Sequence, residues 1–277
     1  SILGSYLVVN RLPFDSYQLA WDPKQLLYLG IYYAALVAPF ACGGYLIAHY
    51  LASLPEAGHK LYAANLLGSA VGAALLPFLL PSLGGEGTIL AAMALGALGA
   101  ISLTLATAQG RRLPILGTAG LLGIGLLLLG VRPAWINLRL SPYKSLSYAL
   151  QAVGARLDYQ RWNAISRIDV VSSPQIHSAP GLGLQYPGQL PPQYALTVDG
   201  GDQTPITRFQ GQADSAFLAY LPTSVAYQLR PGASALILRP RGGLDVAAAL
   251  AGGARHIQVV EENPLIVHVV RDIYDAW

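Results

Sequence analysis

Four apolar stretches of membrane-spanning length fill most of the first 131 residues, and they restrict the fold more than any other feature of the chain. Gln25 to Leu54, Leu61 to Leu83, Thr88 to Thr107 and Leu113 to Val131 contain no Asp, Glu, Lys or Arg. A bilayer core takes about 20 apolar residues of helix, and backbone groups in lipid must be satisfied internally. The chain as a whole is 53% hydrophobic and 11% charged, with mean hydropathy +0.45, which is too apolar for an ordinary soluble protein. The short connections SLPEAGHK, SLGGEG and AQGRR make neighbouring spans antiparallel. The expectation is a multi-span α-helical membrane bundle over residues 1–131. The opening SILGSYLVVNRLPFD has no basic segment ahead of an apolar stretch and no small-residue cleavage site. It reads as the tail of an earlier helix, so the chain is expected to be a fragment.

Pro39 and the pair Gly43, Gly44 interrupt the first span and predict a kink. The second span carries Gly68 and Gly72 with Ser69, Ala70, Ala73 and Ala74, a small-residue face expected to pack closely against a neighbouring helix. Asn65, one turn earlier, is expected to form an interhelical hydrogen bond, with a place on a substrate path as the alternative. Cys42 is the single cysteine, so disulfide frameworks and cysteine zinc sites are excluded, and it reads as a small buried packing residue. Ion-coupled transport lacks its usual intramembrane charges. The net charge of +3 is small and no basic run exceeds Arg111, Arg112, which argues against nucleic acid as a partner. Lys60, Arg111 and Arg112 fall on one side of the bundle and Arg11, Lys24, Arg132, Arg139 and Lys144 on the other. That distribution leaves the orientation undetermined.

From Arg132 onward the pattern changes. Ser141 to Gln151 reads as a short amphipathic or extended segment, and Ser166 to Ser172 alternates like a strand. Ser173 to Pro192 is a Pro- and Gly-rich loop, too long for a plain connector. It is expected to be a lid or a wall packed on the bundle. A strand at Tyr194 to Val198, the turn DGGDQ and a helix from about Ala213 to Gln228 follow. The chain then gives a strand (Ala235 to Leu238), a turn (Arg239 to Leu244), a helix (Asp245 to Ala251) and a second strand ending at Glu261. In a nucleoside-binding α/β unit such a turn lets backbone approach the ligand at a helix N-terminus, and the acid accepts hydrogen bonds from the ribose hydroxyls. A purely structural αβ repeat would give the same order.

The stretches LYAANLLGSAVGA (61–73), SPYKSLSYAL (141–150), APGLGL (179–184), VDGGDQTPI (198–206), GGLDVAAAL (242–250) and VVEENPLIV (259–267) together resemble the spermidine synthase family of polyamine aminopropyltransferases. The likeness is to its membrane-fused branch, in which a transmembrane bundle precedes the synthase-like domain. The resemblance implies a small β-rich subdomain at 132–210 and the first half of a Rossmann-like, methyltransferase-type domain at 211–277. It implies decarboxylated S-adenosylmethionine or S-adenosylmethionine as cofactor and no metal. Gly242, Gly243 and Asp245 would belong to the cofactor turn, Glu261 would hold the ribose, and Asp199 and Gln203 would lie near a substrate entrance. For Asp199 a carboxylate capping its own turn is the alternative.

The departures bear on activity. Arg239 and Arg241 stand where the family carries glycine. ADSAFLAYLP, with Asp214, Ser215 and Ala216, replaces the family's amine-holding triplet, although a slip of register would offer Asp202 instead. The family's catalytic Asp falls beyond Trp277, so the catalytic residue is unknown. Two functions are expected. One is an aminopropyl or methyl transferase acting on a small amine. The other is a degenerate, non-catalytic synthase fold serving as a structural or scaffolding subunit among membrane-protein partners. Either would sit in a lipid bilayer, as an integral protein of a prokaryotic inner membrane.

Overall fold

A computed structural model describes residues 1–107, 112–209 and 212–275, and the chain divides into two compact units, Ser1–Arg139 and Leu140–Trp277. The first is helical, with α1 (Ile2–Arg11), α2 (Lys24–Ser53), α3 (Gly58–Thr107) and α4 (Arg112–Val131). Two of its helical stretches, Lys24–Ser53 and Pro55–Ala106, are long and apolar enough to cross a membrane, while the apolar part of α4, Ile115–Val131, is shorter. The AQGRR connection lies mostly outside the described residues. α2 runs on through Pro39.

The expected second and third spans are not separate helices joined by a loop. They are the two arms of α3, broken at Gly84 with φ 72° and ψ 178°, a conformation open almost only to glycine. Leu61 and Asn65 on the first arm line the same cavity as Gly96, Gly99 and Leu103 on the second. In a straight helix Asn65 and Gly99 would stand about 50 Å apart at 1.5 Å per residue. The chain therefore reverses at Gly84, and one residue does the work of a connecting loop.

Tyr6, Leu90 and Ile136 form a buried cluster with Leu3, Leu7, Ile89, Leu128 and Leu129 around them. Polar groups at that end are satisfied by the backbone that leaves α4. Tyr6 donates to the Ile136 carbonyl, Asn10 Nδ2 donates to the Asn137 carbonyl at 2.9 Å and Asn10 Oδ1 accepts from the Arg139 N–H at 2.7 Å. Glu86 accepts from the Leu138 N–H at 3.0 Å. Residues 132–139 thus stay with the helical unit.

In three places the helical unit departs from what its sequence leads one to expect. A Cβ built on Gly68 or Gly72 meets nothing within 4 Å, so that face is open rather than packed. Close helix approach occurs instead at Gly125, where a Cβ would lie 2.7 Å from Met93 Cε, because small residues permit contact without attracting a partner. Cys42 is exposed, not buried. Asn65 makes no interhelical hydrogen bond among the described residues and faces the cavity.

The second unit begins with the short α5 (Ser145–Ala149) and a four-stranded antiparallel sheet, β1 (Arg156–Trp162), β2 (Arg167–Ser172), β3 (Gln193–Val198) and β4 (Gly201–Thr207), ordered as in the chain. One face packs Ile168, Val170, Leu196 and Ile206 against Ile266, Val269 and Val270. The other packs Val171 and Ala195 against Leu146, Ala149 and Ile176. Because β2 is covered on both faces, its one carboxylate must be paired internally. Asp169, fully buried, accepts from Arg167 Nε and from Gln160 Nε2, each at 2.8 Å. β1 has no counterpart in the sequence reading, since an edge strand of mostly exposed RLDYQRW lacks an apolar alternation.

The helix expected at Ala213 to Gln228 is two pieces, a 3-10 helix Gln212–Tyr220 and α6 (Ser224–Leu229). Pro222 disfavours helical backbone at Leu221 and offers no N–H, which splits the segment. The Ser173 to Pro192 loop is a wall on the α/β unit's own helices. Its Ala179, Leu182, Tyr186 and Leu190 surround Phe217, Leu218, Leu221, Ala247 and Ala248, and the Gly183 N–H donates to the Tyr220 carbonyl at 3.0 Å. β5 (Ser234–Leu238), α7 (Leu244–Ala251) and β6 (His256–Val260) form a parallel β–α–β unit, followed by α8 (Pro264–Val267) and a π-helical turn His268–Ile273.

Gly84→Ala forces a Cβ into a conformation that costs about 1–3 kcal/mol, so it should lower the thermal stability of the detergent-solubilised helical unit, whereas Gly68→Ala should not. Tyr274 packs on the sheet core 4.5 Å from the Tyr194 ring. Burial, then the charge of Asp158, pushes its hydroxyl from 10.0 up to about 12. A pKa raised on folding gives stability that is complete below the unfolded value and lost as pH rises through the folded one. The α/β unit should weaken between about pH 10 and 12, and Tyr274→Phe should flatten that part of the unfolding-versus-pH curve.

Candidate functional site

The strand–turn–helix–strand–acid order closes in space as the sequence reading requires. β5 and β6 pair in parallel from Ser234↔His256 to Leu238↔Val260, which brings Glu261 beside the turn that leaves β5. The Arg239 N–H donates to the Val260 carbonyl at 2.8 Å. Glu261 Oε2 accepts from the Arg241 N–H at 3.4 Å and Oε1 from the Asn263 N–H at 3.1 Å. A carboxylate offers about four acceptor positions, so Glu261 keeps capacity for two hydroxyl donors.

The turn itself has unusual backbone. Arg239 and Arg241 sit at φ 54° and 52°, and Gly243 at φ 91°. The Gly243 N–H donates to the Pro240 carbonyl at 2.9 Å, which puts Arg241 at a turn position ordinarily taken by glycine. The sequence anomaly is thus a conformational one, as a left-handed residue with a Cβ costs about 1–2 kcal/mol. Both guanidinium groups are held by carboxylates, Arg239 by Glu262 at 2.8 Å and Arg241 by Asp202 at 3.2 Å.

Gly242 and Gly243 are buried and serve the fold directly. A Cβ on Gly242 would lie 2.1 Å from the Pro205 carbonyl oxygen, and the Gly242 N–H donates to Thr204 Oγ1 at 3.2 Å. β4 is therefore pressed against the βα turn. Asp245 is exposed in the first turn of α7, where a carboxylate favours the positive end of the helix. Asp202, Asp245, Glu261 and Glu262 gather on or beside the turn against Arg239 and Arg241. This excess of carboxylates favours a cation over a phosphate.

Asp199 and Gln203 lie on the β3–β4 hairpin. The turn is the two residues Asp199 and Gly200, at φ 52° and 70°, with Val198 opposite Gly201. This is the Asp-Gly pattern of a tight hairpin. Asp202 and Gln203 are consequently on β4, not in the turn. Asp199 fixes local structure: its Oδ1 accepts from the Arg167 N–H and its own N–H donates to the Arg167 carbonyl, each at 2.8 Å. Its carbonyl accepts from Lys144 Nζ at 2.7 Å. Gln203 is partly buried between Asp202 and Thr204. Of the residues singled out from sequence, Gly242, Gly243 and Glu261 come together, with Asp245 at the edge, while Asp199 is engaged with β2.

Thr204, Pro205 and Asn263 were missed. Asn263, 1% exposed, caps α8 by accepting from the Leu265 N–H at 3.0 Å, accepts from Asn163 Nδ2 at 2.7 Å and donates to Ser166 Oγ at 2.8 Å. The Asn-Pro pair signals a helix start, but nothing in sequence shows its reach to residues 163–166.

Comparison with protein-family models, curated proteins and solved structures gives no match. Gly242→Ala puts a methyl group into backbone that cannot swing aside, and overpacking typically costs about 1–3 kcal/mol. Arg241→Gly removes about 1–2 kcal/mol of left-handed strain and forfeits a partly exposed ion pair worth about 0–1 kcal/mol. Chemical denaturation should show the first variant clearly destabilised and the second unchanged or more stable.

Proposed function

We propose that this is a membrane-anchored protein of spermidine-synthase-like type, whose α/β unit takes a nucleoside of the S-adenosylmethionine class. The observation that carries the proposal is Glu261 at the end of β6, hydrogen-bonded to the turn that follows β5. The unit would be the first half of a Rossmann-like domain, and α2, α3 and α4 would make a multi-span anchor in a prokaryotic inner membrane. The surplus of carboxylates around the turn supports a sulfonium cofactor over a phosphate-bearing dinucleotide.

When bound, such a cofactor supplies an electrophilic carbon beside a cationic sulfur. Glu261 would accept the ribose hydroxyls, and the backbone of Arg239 to Gly243 would border the nucleoside. Asp202 is the carboxylate nearest this turn on β4 and would help to hold a small amine. A transferase also needs a group to take the proton of the attacking amine.

A second reading, a degenerate fold acting as a scaffold subunit, is supported by a separate observation. The two arginines and Gly242 are already engaged by Glu262, Asp202, Thr204 and Pro205. Calorimetric titration of the full chain with S-adenosylmethionine and with its decarboxylated form separates the two. The cofactor reading expects saturable binding that Glu261→Ala weakens about tenfold or more, as expected for a lost charge-assisted hydrogen bond. Binding indifferent to Glu261→Ala would reject this site, and no binding to the unaltered chain would favour the scaffold.

A further inference from the structure

The helical unit contains a cavity of about 480 Å³ between α2 and the two arms of α3, lined by apolar side chains and two polar ones, Tyr50 and Asn65. We propose that it binds one acyl chain of a bilayer phospholipid, with the Asn65 amide and the Tyr50 hydroxyl donating to the ester carbonyl at the head of that chain. The proposal rests on the reading that this unit lies in a membrane.

Four observations converge. The volume lies in the range of about 300–1,000 Å³ typical of small-molecule sites, and apolar walls disfavour filling by water. Leu46 and Ile47, at its rim, are 48% and 41% exposed, so the cavity is bounded by residues at the unit's surface, where lipid would lie. Neither Asn65 nor Tyr50 has a side-chain hydrogen bond among the described residues, whereas Tyr6, Asn10 and Glu86 of the same unit are each satisfied by backbone. An amide in hydrocarbon without a partner is costly, and a ligand oxygen removes that cost. Finally, both polar groups lie near one end of their helices: Asn65 stands about 10 Å along its helix from Gly58 and Tyr50 about 5 Å from Ser53, at 1.5 Å per residue, which in a membrane would set them toward the headgroup side rather than mid-bilayer.

Gly99 gives a clean handle, because a Cβ there meets nothing within 4 Å, so a larger side chain enters the cavity rather than the protein. The full chain is reconstituted in phosphatidylcholine vesicles doped with a phosphatidylcholine carrying a mid-chain diazirine. Cross-linked residues are then mapped by mass spectrometry. The expected result is enrichment at Leu61, Asn65 and Leu103 over the lipid-exposed reference Phe78. That enrichment should fall about tenfold in Gly99→Phe and about three- to tenfold in Asn65→Leu, the scale of one hydrogen bond. Labelling at Phe78 should be unchanged in both. Equal labelling of cavity and reference positions, or enrichment untouched by both variants, overturns the site. Preferential capture of free diazirine-oleate over the phospholipid overturns the phospholipid assignment. Absence of labelling at Phe78 as well sinks the membrane reading and the proposal with it, which distinguishes the two failures.

Discussion

The contact between Gly242 and β4 fixes the geometry of the whole candidate site. With the Pro205 carbonyl against its Cα and Thr204 Oγ1 on its N–H, the turn after β5 is locked to the antiparallel sheet. Arg239 then reaches the end of β6, and Glu261 is set beside the turn. Asn263 provides a second clamp from the other side, tying the start of α8 to residues 163–166. Sheet and β–α–β unit are therefore joined through a handful of backbone-scale contacts in which glycine and asparagine have no adequate substitutes.

Legibility in the sequence follows from how local each cause is. β2, β3, β5, α7 and β6 were visible because their periodicity and turn chemistry lie within a few residues. The β3–β4 turn is legible only in place, because DGGDQ reads whole as a turn while Gly201, Asp202 and Gln203 belong to β4. The unseen parts depend on partners far along the chain. β1 is mostly exposed and polar, and only its pairing with β2 makes it a strand. The close approach at Gly242 involves residues 37 and 38 positions earlier, and a pair of glycines reads equally well as a ligand-binding turn or as a packing contact. The split of the 212–229 segment has a local cause in Pro222, yet the periodicity on either side reads as one helix.

In the helical unit, hydropathy marked the stretches but not their pairing. The open Gly68 face and the close approach at Gly125 have similar compositions, and only the register of α4 against the second arm of α3 distinguishes them. Gly84 shows the opposite case. It stands in a Gly-rich connection expected to be a loop, and its conformation alone supplies the reversal.

The left-handed arginines are the least expected feature of the turn after β5. Strained residues persist where surroundings determine them, and here the surroundings are ion pairs to Glu262 and Asp202 together with the Val260 carbonyl. A glycine would adopt both conformations at no steric cost, so the local fold does not need arginine at either position. What arginine adds is a side chain that ties β4 and the start of α8 to the turn. Partly exposed ion pairs of this kind are weak, about 0–1 kcal/mol each, so they hold the turn without offsetting the whole of its left-handed strain, about 1–2 kcal/mol per residue.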